Sequence, residues 1–204
     1  MVKVVKFGGS SLASAEQFKK AGAIIRADES RRHVVPSAPG KRNPKATKVT
    51  DMLYECYGIA KAGKEFSGKL GKIRDRYDSI IKGLDLKLSL NEEFKTIESN
   101  FKNRAGTAYA ASRGEYLNAI IMAAYMDCEF IDAAEVIFFD AEGNFLSDRT
   151  NEVLRARLEG VERAVIPGFY GAQENGVIHT FSRGGSDITG SIVARAARAT
   201  IYEN

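Results

Sequence analysis

Lys3-Val4-Val5-Lys6-Phe7-Gly8-Gly9-Ser10-Ser11 opens the chain, and its reading decides the fold. Val2 to Phe7 reads as a buried strand that the two glycines end. Ser14 is placed as a helix N-cap, because Gln17 stands three residues on and Phe18, Ala21, Ile24 and Ile25 follow at helical spacing. His33 to Pro36 reads as a second short strand. Strand, glycine turn, helix, strand begins a βαβ unit, so the expected fold is α/β, with a mostly parallel sheet covered by helices on both faces.

Beyond Ser37-Ala38-Pro39-Gly40 a basic, polar loop runs to about Val49. Asp51 to Leu84 reads as helical but broken by Gly58, Gly63, Gly68 and Gly71, since glycine weakens a helix. Asn91 is placed as the cap of a helix running to Arg104. Tyr109 to Met126 is the strongest helix, with an apolar stripe of Leu117, Ile120, Ile121 and Ala124. Short strands are expected at Phe130-Ile131, Val136-Ile137-Phe138, Ala164 to Pro167 and Val177 to Phe181. Helices are expected over Asn151–Leu158 and Ile188–Ala199.

The chain of 204 residues carries a net charge of +4, with both signs mixed. That balance suits an anionic small molecule. The basic Arg31-Arg32 and Lys41–Lys48 stretches lack the aromatic residues and motifs of a nucleic-acid interface. Cys56 and Cys128 are too few and too far apart for a disulfide framework or a metal cluster. The start has no signal-peptide character and no apolar stretch is long enough to span a membrane. The expectation is a cytoplasmic protein with neither membrane nor nucleic acid as partner.

A second glycine segment, Phe181-Ser182-Arg183-Gly184-Gly185-Ser186-Asp187, precedes the last helix. Two loops of exposed backbone amides, each beside a cation, are what a polyphosphate needs, and together they point to phosphoryl transfer. Lys6 ends the first strand. It is either an edge lysine reaching water or the amine that neutralises a transferring phosphoryl group, with Gly8, Gly9 and Ser10 donating to the same phosphates. The spacing is not that of a Walker A loop. Asp187 and Ser186 are either N-caps or site residues. Arg183 offers a planar fork for a carboxylate, or simply faces solvent. Glu115, within Ser112-Arg113-Gly114-Glu115, is either a first-turn acid favoured by the helix dipole or a partner for an ammonium group. An ammonium-binding glutamate and a carboxylate-binding arginine would together describe an amino-acid substrate.

These segments together resemble the aspartate kinase family of the amino-acid kinase superfamily. Lys6-Phe7-Gly8-Gly9-Ser10-Ser11 is similar to the family's opening signature, and Val35-Pro36-Ser37-Ala38-Pro39-Gly40 to its second strand and loop. Thr50-Asp51-Met52-Leu53 resembles its threonine-containing helix start, and Pro167-Gly168-Phe169 the loop that closes on the amino acid. Ser112 to Glu115 and Arg183 to Asp187 resemble its two other site segments. The resemblance implies an amino-acid (carbamate) kinase-like fold and ATP-dependent phosphorylation of the L-aspartate side-chain carboxylate. That reaction begins lysine, threonine and methionine biosynthesis. It makes Lys6 and Asp187 catalytic. Thr50, Glu115, Phe169, Arg183 and Ser186 would then surround aspartate, while Lys6, Gly8, Gly9, Ser10 and Gly184 border the phosphates of ATP. Mg2+ would arrive with the nucleotide, without a protein cage.

Family members are longer. They continue into a nucleotide-binding segment and into ACT domains, so the resemblance implies that residues 1–204 are a truncated, partial catalytic domain. Within it, residues 40–105 read as a mobile helical and basic insertion. The expectation is weak or no activity in isolation, and a homo-oligomer or a complementing C-terminal fragment as partner. Two rivals stand beside this reading: a kinase of acetylglutamate or glutamate, and a non-catalytic oligomerising fragment. An N-acetylated substrate has no ammonium for Glu115, which counts against the first.

Overall fold

The computed structural model describes residues 1–182 and 184–204. Strand β1 (Lys3–Phe7) is followed by a 3-10 turn over Gly9–Leu12 and by helix α1 (Ala15–Arg26). Ser14 Oγ accepts from the amide of Gln17 at 3.4 Å, so the cap is where the sequence places it. Strand β2 (Arg31–Pro36) runs parallel to β1. Helices α2 (Val49–Lys61), α3 (Ser67–Gly83), α4 (Asn91–Lys102) and α5 (Thr107–Met126) follow. Then come β3 (Glu129–Phe130), α6 (Ala133–Val136), β4 (Phe138–Phe139) and α7 (Ser147–Leu158). The rest is β5 (Ala164–Val165), β6 (Tyr170–Gln173), β7 (Ile178–Thr180), α8 (Gly185–Ala196) and β8 (Ile201–Glu203).

Among the described residues, β3-β5-β2-β1-β8 form one parallel sheet and β4-β6-β7 a smaller mixed one. Alternation along β1 sends Val5 and Val4 to opposite faces. Val5, Val34 and Val165 join the side chains of α1 to α5 in one core, and Val4, Val35 and Ala164 join α7, α8 and the small sheet in the other. The sheet is therefore covered on both faces, as the α/β reading requires. Among the described residues no helix is long and apolar enough to cross a membrane.

Several local readings are corrected. The glycines at 58, 68 and 71 do not break the helices. A Cβ at any of them would meet nothing within 4 Å, so they lie on open helix surface, and only Gly63 sits in the turn between α2 and α3. Asn91 is the first helical residue and not the cap, and Ser89 Oγ accepts its amide at 3.3 Å. Helix α5 is buried on nearly every side, not along one stripe, because α2 and α4 pack on it as the sheet does. Val136 closes the short helix α6, whose cap is Asp132, and does not extend a strand.

Candidate functional site

The carboxyl ends of β1, β2 and β5 point to one end of the sheet, and there the loops form a cleft of about 570 Å³. Lys6 stands at the end of β1 on the face that carries α8. Its Nζ lies 2.6 Å from Asp187 Oδ1, in an ion pair whose lysine side chain is 12 % exposed and whose aspartate is 46 % exposed. The two glycine segments, separated by most of the chain, thus meet through one cation and one carboxylate.

Asp187 and Ser186 are not N-caps. Gly184 holds that place with φ of +78°, and both residues lie in the first turn of α8. A left-handed residue there costs glycine little. The Asp187 amide donates to Gly184 O at 2.8 Å.

Glu115 enters the cleft from the other face of the sheet. Helix α5 begins at Thr107, so Glu115 lies beyond the first turn and the dipole reading falls. Only 6 % of its surface is exposed and Oε2 has no hydrogen-bond partner. Burial pushes its carboxyl up to about 8, against smaller opposing contributions from backbone hydrogen bonds and the Arg113 charge. Neighbouring contacts hold the helix in place. Tyr77 Oη donates to Gly114 O at 2.7 Å and Asn118 Nδ2 to Ser37 O at 2.7 Å. Arg113, two residues earlier, turns away from the cleft. Its guanidinium packs over Tyr116, Tyr109 and Tyr170, at 4.3, 4.7 and 5.3 Å from the ring centres, and donates to Ser112 Oγ.

Phe169 closes a third side. Its φ of +82° is unusual for a bulky side chain. Three bonds fix it: its amide donates to Thr189 Oγ1 at 3.0 Å, that hydroxyl donates to Gly185 O at 3.0 Å, and the Phe181 amide donates to Phe169 O at 2.8 Å. Backbone strain sustained by such a frame belongs at a site where a side chain must be presented.

Lys6, Thr50, Glu115, Phe169, Ser186 and Asp187 line this one cleft, with Gly184 beside them. Gly9 and Ser10 instead line an adjoining chamber of about 480 Å³, which shares Ser37, Lys48, Thr50 and Glu115 with the first. Gly8 borders neither chamber, but a Cβ on it would stand 3.8 Å from Lys6 Nζ. Arg183 lies outside the described residues. The sequence reading passed over Ser37 and Lys48, which line both chambers. Their signal was position, directly after β2 and two residues before Thr50.

The basic loop after β2 is tied down rather than offered as a surface. Arg76 on α3 donates to Gly40 O at 2.8 Å and Thr47 O at 3.2 Å, and Arg42 donates to Ala13 O at 3.3 Å. The Gly40 amide reaches Gly9 O at 2.7 Å, an approach that a Cβ on either glycine would prevent. Among the described residues there is no group of three or more His, Cys, Asp or Glu side chains that could hold a metal ion. Asp187 is the acid beside the Lys6 amine.

The profile of the amino acid kinase family matches residues 1–204. Aspartokinase 3 of Bacillus subtilis is 37 % identical over 218 residues, covering all of this chain and 48 % of that protein. The structure of the Clostridium acetobutylicum aspartate kinase superposes with a TM-score of 0.96 at 47 % identity, over 100 % of this chain and 47 % of the other. Escherichia coli aspartokinase III, in complex with aspartate and ADP, shares the fold with a TM-score of 0.82 at 23 % identity, over 99 % of this chain and 48 % of the other. The chain spans about half the length of each of these relatives.

Proposed function

The chain belongs to the amino acid kinase family, and from that footing we propose that it carries the acceptor site of an aspartate kinase. The reaction would transfer the terminal phosphoryl group of ATP to the side-chain carboxylate of L-aspartate. A carboxylate oxygen forms a bond to phosphorus as the bond to the ADP oxygen breaks, giving 4-phospho-L-aspartate and ADP. The observation that carries this reading is the company Glu115 keeps. A buried carboxyl with an unpartnered oxygen opens into the same cleft as the Lys6–Asp187 pair.

Each side chain has work suited to its place. Glu115 receives the substrate ammonium, which replaces the water its oxygen lost on burial. Thr50 and Ser186 offer hydroxyls to the amino acid, and Phe169 shields it from solvent. Arg183 is assigned to the α-carboxylate on the family resemblance. Lys6 presents its cation where negative charge grows on the transferring group. Asp187 holds that amine within reach, being its ion-pair partner at 2.6 Å. ATP, when bound, supplies the phosphoryl group. Lys6 and the glycine segment that opens α8 would border its phosphates, and Mg2+ would arrive with the nucleotide.

Calorimetry with L-aspartate and with N-acetyl-L-glutamate tests the acceptor, and aspartate-dependent ADP release tests the reaction. Binding of aspartate but not of the acetylated amino acid is expected. Preference for N-acetyl-L-glutamate would overturn the assignment, since that ligand has no ammonium to offer Glu115.

A further inference from the structure

Strand β8 reaches the site from the edge of the sheet, and neither its glycine content nor its charge marks it as functional. Tyr202 and Asn204 are two residues apart, which places them on the same side of an extended chain. Both touch the Lys6–Asp187 pair. Lys6 Nζ donates to Asn204 Oδ1 at 3.1 Å while Asp187 Oδ1 holds it at 2.6 Å. Tyr202 Oη donates to Asp187 O at 3.2 Å. Burial, together with the Asp187 charge, pushes that phenol up to about 12, so it remains a donor. Its ring lies so close to Gly190 that a Cβ there would stand 2.6 Å from Cε2, which lets α8 settle onto β8. The small neighbour and the hydroxyl together fix the turn that carries Asp187.

We propose that β8 is a positioning strand for the reactive pair: Asn204 sets the direction of the Lys6 amine, and Tyr202 sets the turn that presents Asp187. This rests on reading Lys6 as the amine facing the phosphoryl group. A lysine side chain has four rotatable carbon–carbon bonds, and a single carboxylate fixes distance but not direction. A second oxygen, neutral and on a different element, leaves one N–H free to point into the cleft. The neutrality matters, because a second carboxylate would offset the charge Lys6 is there to supply.

The test reads position and rate separately. In the first arm, 15N NMR follows how fast the Lys6 ammonium protons exchange with water. Asn204→Ala is expected to speed that exchange severalfold, and Asn204→Asp, which keeps an oxygen at the same reach, to restore slow exchange. In the second arm, Asn204→Ala and Tyr202→Phe are each expected to lower kcat about tenfold or more with KM for aspartate little changed, as misplacement of a reacting group would. Asn204→Asp should restore the ordering of the amine without restoring the rate. Unchanged proton exchange in Asn204→Ala overturns the proposal, as does a loss confined to KM. If the wild-type protein binds no L-aspartate by calorimetry, the functional reading fails, and the exchange arm still decides whether Asn204 holds the amine.

Discussion

With one carboxyl oxygen unpartnered and 6 % of its surface exposed, Glu115 keeps its proton at neutral pH until a cation is brought to it. Binding an amino acid through its ammonium must therefore expel that proton. Calorimetry of aspartate at pH 7 in buffers of differing ionisation enthalpy should show release approaching one proton, and Glu115→Gln should abolish the release and weaken binding about ten- to a hundredfold. Heats that do not depend on the buffer would contradict this. Lys6 makes a different prediction. Its ion pair with Asp187 has one half-exposed partner, so it adds about 1 kcal/mol or less to stability. Lys6→Met should leave the melting temperature nearly unchanged and reduce turnover about 10²–10³-fold, the usual cost of losing a preorganised charge. At this scale the sequence was legible where chemistry forces a choice. A lysine ending a buried strand and an aspartate following two glycines needed explanations, and the fold placed them together. Tyr202 and Asn204 needed none, because a tyrosine and an asparagine near a sheet edge break no rule.

Elements were legible where a periodicity or a cap declares them. Ser14 and Gln17 announced α1, and the β1–α1–β2 unit fixed the parallel sheet. The glycines of α2 and α3 misled because propensity counts residues without knowing which face they occupy, and here they occupy the open one. Strand β6 was missed because Tyr170 to Gln173 is short and is defined by its neighbours β4 and β7. The junction of the first two loops makes the sharpest prediction at this level. A Cβ at position 40 would stand 2.7 to 2.8 Å from the backbone of Gly9 and Ser10, atoms that cannot swing aside. Gly40→Ala should cost about 1–3 kcal/mol of stability, read by urea denaturation, and should weaken aspartate binding by parting the chambers that Thr50 and Glu115 share. Full stability in that variant would show that the loops tolerate separation.

For the whole molecule, Glu115 and His33, buried on opposite faces of the sheet, shape how stability varies between about pH 4 and 8. Glu115 ionises near 4.5 when unfolded and near 8 when folded. Between those values the unfolded chain gives up its proton first, so stability falls as pH rises, by a total on the order of 5 kcal/mol. His33, 4 % exposed at the amino end of β2, is held down to about 4 from its ordinary 6.5, by burial first and by the Arg32 charge second. Here the unfolded chain takes up a proton first, so stability is lost as pH falls from 6.5 through 4, by a total on the order of 3 kcal/mol. From 4.5 to 6.5 the two slopes oppose each other and nearly cancel. Above 6.5 Glu115 acts without His33, and below 4.5 His33 acts without Glu115. The expected profile is a plateau near pH 4.5–6.5 with a decline on each side. In Glu115→Gln the decline between 6.5 and 8 should disappear, and in His33→Phe the acid decline should become shallower. Thermal melts at half-unit steps of pH check both. A wild-type profile that stays flat between pH 6.5 and 8 would mean that Glu115 is already ionised in the folded chain, and an ammonium bound to it would then expel no proton.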